Sequence, residues 1–170
     1  KNIINYKIDL PKIFFLYVGS REGYKNFKLL VEAVSLSNNL NKIKIVCFGG
    51  GKFSQEEIKK YHLDDNFINL QGDDNLLAYL YTKALALVNT SKYEGFGITN
   101  VTLRKIKNNS FLIFKNNNKI YLAKKMKLIF SKKNLRKELK KRGFKRSKIF
   151  TWTKCARDTY KLYHRLLKKK

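Results

Sequence analysis

Ile13-Phe14-Phe15-Leu16-Tyr17-Val18-Gly19-Ser20-Arg21-Glu22-Gly23-Tyr24-Lys25-Asn26-Phe27 is the stretch that decides the fold. It opens with an uninterrupted apolar run, Ile13 to Val18, that stops at a glycine. Such a run reads as a strand buried on both faces, not one alternating between core and solvent. After Lys25 the period changes. Phe27, Leu30, Val31 and Val34 fall at i, i+3, i+4 and i+7, the apolar stripe of a helix. Strand, glycine turn and amphipathic helix in that order predict the opening unit of a parallel sheet.

The same alternation continues outward. A second strand is predicted over Ile43–Phe48, ending at Gly49-Gly50-Gly51, and a capping box, Ser54-Gln55-Glu56-Glu57, starts a helix that runs to about His62. Phe67–Leu70 reads as a third strand, Asp74 as the cap of a helix carrying Leu76, Leu77, Leu80 and Tyr81, and Ala84–Val88 as a fourth strand. Strands joined by helices of this length require right-handed crossovers and a parallel sheet with helices on both faces. Beyond Gly97 the period loosens. Phe111–Phe114 is predicted as a short fifth strand, and the remainder as helix with N-caps at Asn134 and Thr151. Leu135, Leu139 and Phe144, then Trp152, Ala156, Thr159 and Tyr163, supply apolar faces whose spacing suits a core.

The chain has 170 residues, 44% of them hydrophobic, and a net charge of +26. Its length fits one domain with a core of its own. The charge is lopsided: residues 1–100 hold 13 basic and 10 acidic side chains, residues 101–170 hold 25 basic and 2 acidic. Nucleic acid, an anionic membrane surface and phosphate-bearing substrates are all admissible partners for such a half. An A/T-biased coding sequence would also produce this excess of Lys together with the Asn runs at 38–39, 108–109 and 116–118. Cys47 and Cys155 form no metal-ligand spacing and no disulfide framework, so a reducing compartment is the default. No nucleophile elbow, P-loop or His-Glu-x-x-His is present, and His62 and His164 each stand alone in the sequence.

In an open parallel sheet the ligand sits at the carboxyl ends of the strands, where glycine turns bare their N–H groups and helix N-termini favour anions. Three segments fall there: Gly19-Ser20-Arg21-Glu22-Gly23-Tyr24-Lys25, Gly49-Gly50-Gly51, and Ser91-Lys92-Tyr93-Glu94-Gly95-Phe96-Gly97. Cations, bare backbone and one carboxylate together suit a phosphorylated, hydroxyl-rich ligand.

These residues resemble a known family. Tyr17-Val18-Gly19-Ser20-Arg21 with Tyr24-Lys25-Asn26-Phe27, the three glycines, Gly72-Asp73-Asp74, Ala86-Leu87-Val88 and Tyr93-Glu94-Gly95-Phe96-Gly97-Ile98 are similar to the C-terminal, donor-binding domain of family 4 (group 1) retaining glycosyltransferases of the GT-B fold. Asn134-Leu135-Arg136-Lys137-Glu138-Leu139 and Phe150-Thr151-Trp152 with Cys155-Ala156 resemble that family's closing helices. The resemblance implies an α/β, Rossmann-like parallel sheet flanked by helices, a helical C-terminus, a single domain over residues 1–170 and no N-terminal acceptor domain. It also implies a cytoplasmic enzyme of polysaccharide biosynthesis that moves a hexose, mannose or glucose, from a nucleotide diphosphate sugar to a saccharide or lipid-linked acceptor with retention.

On that resemblance Lys25 and Arg21, or Ser20 in an alternative register, hold the donor diphosphate, and Glu94 hydrogen-bonds the sugar hydroxyls. Gly19, Gly49, Gly50, Gly51, Gly95, Phe96, Gly97 and Ile98 bring backbone to the donor. No metal and no cofactor besides the donor is implied. Two positions depart from the family: Thr102 stands where a second Glu would hold the ribose, and Thr99 where Pro would follow Ile98. Thr99-Asn100-Val101-Thr102-Leu103 resembles a later loop of the family, which implies an internal deletion and a chain inactive on its own. The alternative is a degenerate, non-catalytic module, or a basic module whose helices after Ala123 bind a polyanion or the inner membrane face. Nucleic acid is the less expected partner, because Phe144, Phe150, Trp152, Tyr160 and Tyr163 are spaced for a core and not for interleaving with cations.

Overall fold

A computed structural model of the chain describes residues 8–36, 40, 43–63, 65–92, 112, 114, 118–149 and 151–168. The chain divides into two compact units, residues 1–105 with 113–132, and residues 106–112 with 133–170.

The first unit is built on strands β1 (Phe14–Val18), β2 (Lys44–Phe48), β3 (Phe67–Leu70) and β4 (Ala86–Leu87). They form one sheet in the order β3-β2-β1-β4. Every pairing is parallel, with Phe14 opposite Lys44, Ile45 opposite Phe67 and Phe15 opposite Ala86. Helices α1 (Phe27–Ser35), α2 (Gln55–Tyr61) and α3 (Asp74–Lys83) make the crossovers, and α4 (Lys119–Ser131) closes the unit.

Burial on both faces explains why β1 reads as a continuous apolar run. Phe14, Leu16, Val46 and Phe48 pack with Leu76, Tyr79 and Leu80 of α3. The alternate residues point the other way, where Tyr17 meets Phe27 of α1 edge to face at 5.1 Å. Phe27 also touches Tyr61 and Phe67 at 5.6 and 6.0 Å, which joins α1 to α2 and β3. Burying Phe27 completely, with Leu30 and Val34 beside it, realises the helical stripe seen in the sequence. Met126 and Ile129 of α4 are buried as well, and Lys119 at the start of α4 pairs with Glu32 of α1 at 3.3 Å.

Local signals set the helix ends. Ser54 accepts from the Glu57 backbone and Glu57 from the Ser54 backbone, a complete capping box. Asp73, and not Asp74, caps α3, accepting from Leu76 N–H at 2.8 Å. The fourth strand is shorter than its apolar run because Ala84 still closes α3 on Leu80. Leu85 and Val88 nevertheless donate to Phe14 and Leu16, so the run follows β1 along its length. The predicted strand at 111–114 lies largely outside the described residues.

The second unit contains α5 (Lys133–Ser147) and α6 (Trp152–Leu167). Thr151 caps α6 as the sequence suggests, whereas Asn134 lies inside α5 and not ahead of it. Neither helix buries a single residue. Among the described residues no core forms around Phe144, Trp152, Tyr160 and Tyr163 as expected: these side chains are 65%, 90%, 67% and 62% exposed. Periodicity shows that a helix has an apolar face but not what covers it.

Candidate functional site

The strand order places the site. From β1 the chain steps outward to β2 and β3, then returns to the other side of β1 as β4. The order thus reverses between β1 and β4, and open α/β sheets bind ligands in the crevice outside the carboxyl ends at such a point. A cleft of about 150 Å³ lies there, lined by Tyr17, Val18, Lys25, Tyr81, Leu87, Val88, Asn89 and Ser91. That is smaller than the roughly 300 Å³ at which small-molecule pockets begin. It is of a size for a phosphate-bearing fragment. A larger hollow of about 250 Å³ lies between the residue that follows α1 and helix α4, lined by Leu36, Ile120, Ala123, Lys124 and Lys127. Its lining pairs apolar side chains with two lysines and has no other polar side chain.

Lys25 reaches the cleft through a tight turn. Gly19 leaves β1 at φ +113°, and its N–H donates to Phe48 C=O at 2.9 Å, so the turn begins against β2. Gly23 to Lys25 form one turn of 3₁₀ helix, and Asn26 then enters α1 in the left-handed region. A Cβ on Gly19 would stand 3.8 Å from Lys25 Cε, so the lysine stem lies along the bare glycine. Its ammonium sits 5.1 Å from the Tyr24 ring centre. Two hydrogen bonds tie this turn to the chain leaving β4: Thr90 Oγ1 donates to Lys25 C=O, and Lys92 N–H to Tyr24 C=O, both at 2.8 Å. Asn89 Oδ1 accepts from Ser91 N–H between them at 3.0 Å.

Arg21 stands apart from this cleft. It is 3% exposed, and its guanidinium donates to the carbonyls of Gly49, Gly50, Gly51 and Lys52 at 3.0–3.1 Å. It also makes a two-pronged pair with Glu57, Nε to Oε1 at 2.8 Å and Nη2 to Oε2 at 3.0 Å. A guanidinium has five N–H donors, and these bonds engage all of them. The Phe53 ring covers the group at 4.8 Å. The three glycines run through the left-handed region, φ +84°, +73° and +78°, which turns their carbonyls onto Arg21. At Gly50 a Cβ would stand 2.9 Å from Arg21 Nη1 and 2.9 Å from Gly19 C=O, so the loop closes only around glycine. Arg21 is thus the internal clamp of the glycine loop.

The pair's titration follows from that geometry. Hydrogen bonding to Glu57 raises Arg21 above its ordinary value, and the same bond holds the Glu57 carboxyl below the usual carboxylate range. Burial pushes the Cys47 thiol up to about 12. It stays protonated and offers no nucleophile.

Among the sequence-predicted residues, Lys25 and Ser91 line the cleft and Gly19 lies along the Lys25 stem, while Arg21 and Gly49–Gly51 form the neighbouring clamp. Ser20 is exposed, its Oγ accepting from Glu22 N–H at 3.2 Å. Glu94, Gly95, Phe96, Gly97 and Ile98 lie outside the described residues. Ser91, which opens the third segment expected at the strand ends, lines the cleft, and so do Asn89 and Tyr81, which were not anticipated; Asn89 is signalled by a polar triplet that follows the last strand, Tyr81 of α3 by nothing local.

Residues 1–102 match the family described as glycosyl transferases group 1. No curated protein matches the chain. Among solved structures, the catalytic domain of cholesterol-alpha-glucosyltransferase from Helicobacter pylori is similar, with a TM-score of 0.59 and 18% identity over 81% of this chain and 99% of that one. A mutant of TarM from S. aureus, in complex with fondaparinux, alpha-GlcNAc-glycerol and UDP, gives 0.57 and 17%, over 82% of this chain and 33% of the other. At these identities the likeness establishes the shared fold.

Proposed function

Because the chain belongs to the group 1 glycosyl transferases, matched over residues 1–102, we propose that its cleft holds the diphosphate of a nucleotide sugar. The donor's hexose, mannose or glucose, would pass with retention to a saccharide or lipid-linked acceptor. The observation that carries this reading is Lys25, set by a glycine turn where the strand order reverses and tied by hydrogen bonds to the chain leaving β4.

The chemistry needs such a cation. As the bond between sugar and diphosphate breaks, negative charge grows on the departing phosphate, and a cation held in place beforehand stabilises that charge without reorganising. Helix α1 starts two residues after Lys25, and a helix N-terminus adds partial positive charge. Asn89 and Ser91 offer the polar contacts that orient the ligand. Glu94, two residues beyond the Lys92 anchor in sequence, is assigned to the sugar hydroxyls, with the backbone of Gly95, Phe96, Gly97 and Ile98 beside it. Arg21 contributes indirectly, by shaping the glycine loop. We place the enzyme in the cytoplasm, at the inner membrane face, with its basic helices toward the surface. With Thr102 in place of a ribose carboxylate, donor affinity is expected to be weak and the 170-residue chain to turn over no sugar.

Calorimetric titration with UDP, GDP, UMP and uridine tests the reading. Both diphosphates should bind and uridine should not, since a charge-assisted contact contributes about 1.5 to 3 kcal/mol. Uridine binding as tightly as UDP would show a base pocket and count against a diphosphate site.

A further inference from the structure

The turn that carries Lys25 has almost no core of its own. From Ser20 to Asn26 the chain crosses the surface, and Arg21 is the one buried side chain among these residues. A turn with so little apolar contact is held by its hydrogen bonds. At its far end these come from Thr90 and Lys92, which donate to Lys25 C=O and Tyr24 C=O. At its near end Tyr17 Oη donates to Ser20 C=O at 2.7 Å, and the Arg21 side chain runs back into the clamp. The placement of Lys25 thus depends on what holds Arg21.

Four of its partners are carbonyls of a loop, Gly49 to Lys52, whereas the fifth, Glu57, stands in the first turn of α2, where the capping box pins it. Glu57 is also the ionised partner, and a two-pronged carboxylate bond fixes the plane of a guanidinium as single carbonyls do not. From Arg21 the contact passes on through backbone. A Cβ on Gly50 would stand 2.9 Å from Gly19 C=O and 3.2 Å from Ser20 Cα, and the Lys25 stem lies along Gly19. Glu57, Arg21, Gly50, Gly19 and Lys25 therefore form one packed series. By charge alone a carboxylate in the clamp beside an anion site is unfavourable, since it repels the ligand that Lys25 attracts. Positioning and charge thus predict opposite signs for its removal.

We infer that Glu57 is a positioning residue of the diphosphate cleft: acting through Arg21, it holds the turn from Gly19 to Asn26 in the form that aims Lys25 at the ligand. This rests on the reading of the cleft given above and adds to it a residue from α2 that does not line the cleft.

Two variants of the full chain separate this role from helix capping. Glu57→Gln keeps a capping box, which accepts Gln at that position, but loses the charged two-pronged bond. Ser54→Ala removes the cap that Ser54 Oγ gives the Glu57 N–H and leaves the clamp intact. In the isotopically labelled chain without ligand, Glu57→Gln should move the amide signals of Gly19, Gly23 and Lys25, and Ser54→Ala should not. Calorimetry should show UDP binding weakened on the order of tenfold by Glu57→Gln, part of what a charge-assisted contact is worth. It should be unchanged in Ser54→Ala, whose thermal midpoint nevertheless falls. Adding Glu57→Gln to Arg21→Lys should weaken binding no further than Arg21→Lys alone, because the carboxylate acts through that side chain. Should Glu57→Gln fail to fold, Arg21→Lys carries the same expectations for the Lys25 amide and for UDP. Tighter UDP binding by Glu57→Gln, an unmoved Lys25 amide, or an equal loss in Ser54→Ala would each overturn the proposal. A parent chain that binds no UDP would overturn the reading of the cleft, and the Lys25 amide in Glu57→Gln would then decide the coupling by itself.

Discussion

Arg21→Ala is expected to lower the stability of the sheet unit by about 3 kcal/mol, the low end of the range for removing one partner of a buried ion pair, because Arg21 is buried but Glu57 only half-buried. A thermal midpoint lower by roughly 10 °C would follow for a unit of this size. The substitution leaves Glu57 beside an empty site and strips the carbonyls of Gly49, Gly50, Gly51 and Lys52 of their donor. Those carbonyls are aimed at Arg21 by three consecutive left-handed glycines, so the loop has no cheap way to turn them elsewhere. Arg21→Lys should recover only part of the loss, because an ammonium cannot form the two-pronged pair. A drop below about 1 kcal/mol, the value of an exposed ion pair, would count against the clamp.

The pair also carries a pH signature. Glu57 lies below its ordinary value of 4.5 in the folded chain, so it binds fewer protons folded than unfolded. Its contribution is therefore fully present above about pH 4.5 and is lost as the pH falls through the folded value. Thermal melts of the parent chain and of Glu57→Gln should differ most at neutral pH and converge in acid.

Lys25→Glu is expected to abolish detectable binding of nucleoside diphosphates. Removing a charge-assisted contact of about 1.5 to 3 kcal/mol costs on the order of 10- to 150-fold in affinity. Reversing the sign adds repulsion against the phosphates in the same cleft, so the charge reversal should exceed Lys25→Ala. The side chain lines the cleft and no core, and its turn is held by backbone bonds from Asn26 to Gly23 and from Lys92 to Tyr24. The thermal midpoint should therefore move little. Calorimetry on the two variants separates the effects: lost binding with an unchanged melt supports a ligand role, whereas full binding by Lys25→Glu would remove Lys25 from the site.

Much of the fold was legible because its elements are written locally. Ile13 to Val18 announces a doubly buried strand, Phe27, Leu30, Val31 and Val34 a helix, and Ser54 with Glu57 a cap, each within a window of a few residues. The roles of Arg21 and Glu57 were not legible, since their pairing spans 36 positions and is created by the sheet order. Read along the chain, Arg21 is a cation in a phosphate-like turn and Glu57 half of a capping box. Only in three dimensions does one carboxylate serve both the cap and the clamp. Asn89 was missed for a related reason: a polar residue after a strand resembles any loop until the reversal between β1 and β4 identifies that end of the sheet. The aromatics of α6 erred the other way. Trp152 and Tyr163 have the spacing of a core, but nothing in the described structure lies over them.

The account rests on the crevice between β1 and β4 as the place where a donor diphosphate binds. Its most direct test is a titration of the isotopically labelled chain with UDP, followed through backbone amide signals, which report weak binding residue by residue. The account predicts shifts centred on Gly19, Lys25, Asn89 and Ser91, with smaller ones at Gly49–Gly51 and none along α4 or α6. Shifts centred on the hollow at Leu36, Ile120 and Lys124 or on the cationic face of α6, with Lys25 and Asn89 unmoved, would contradict it.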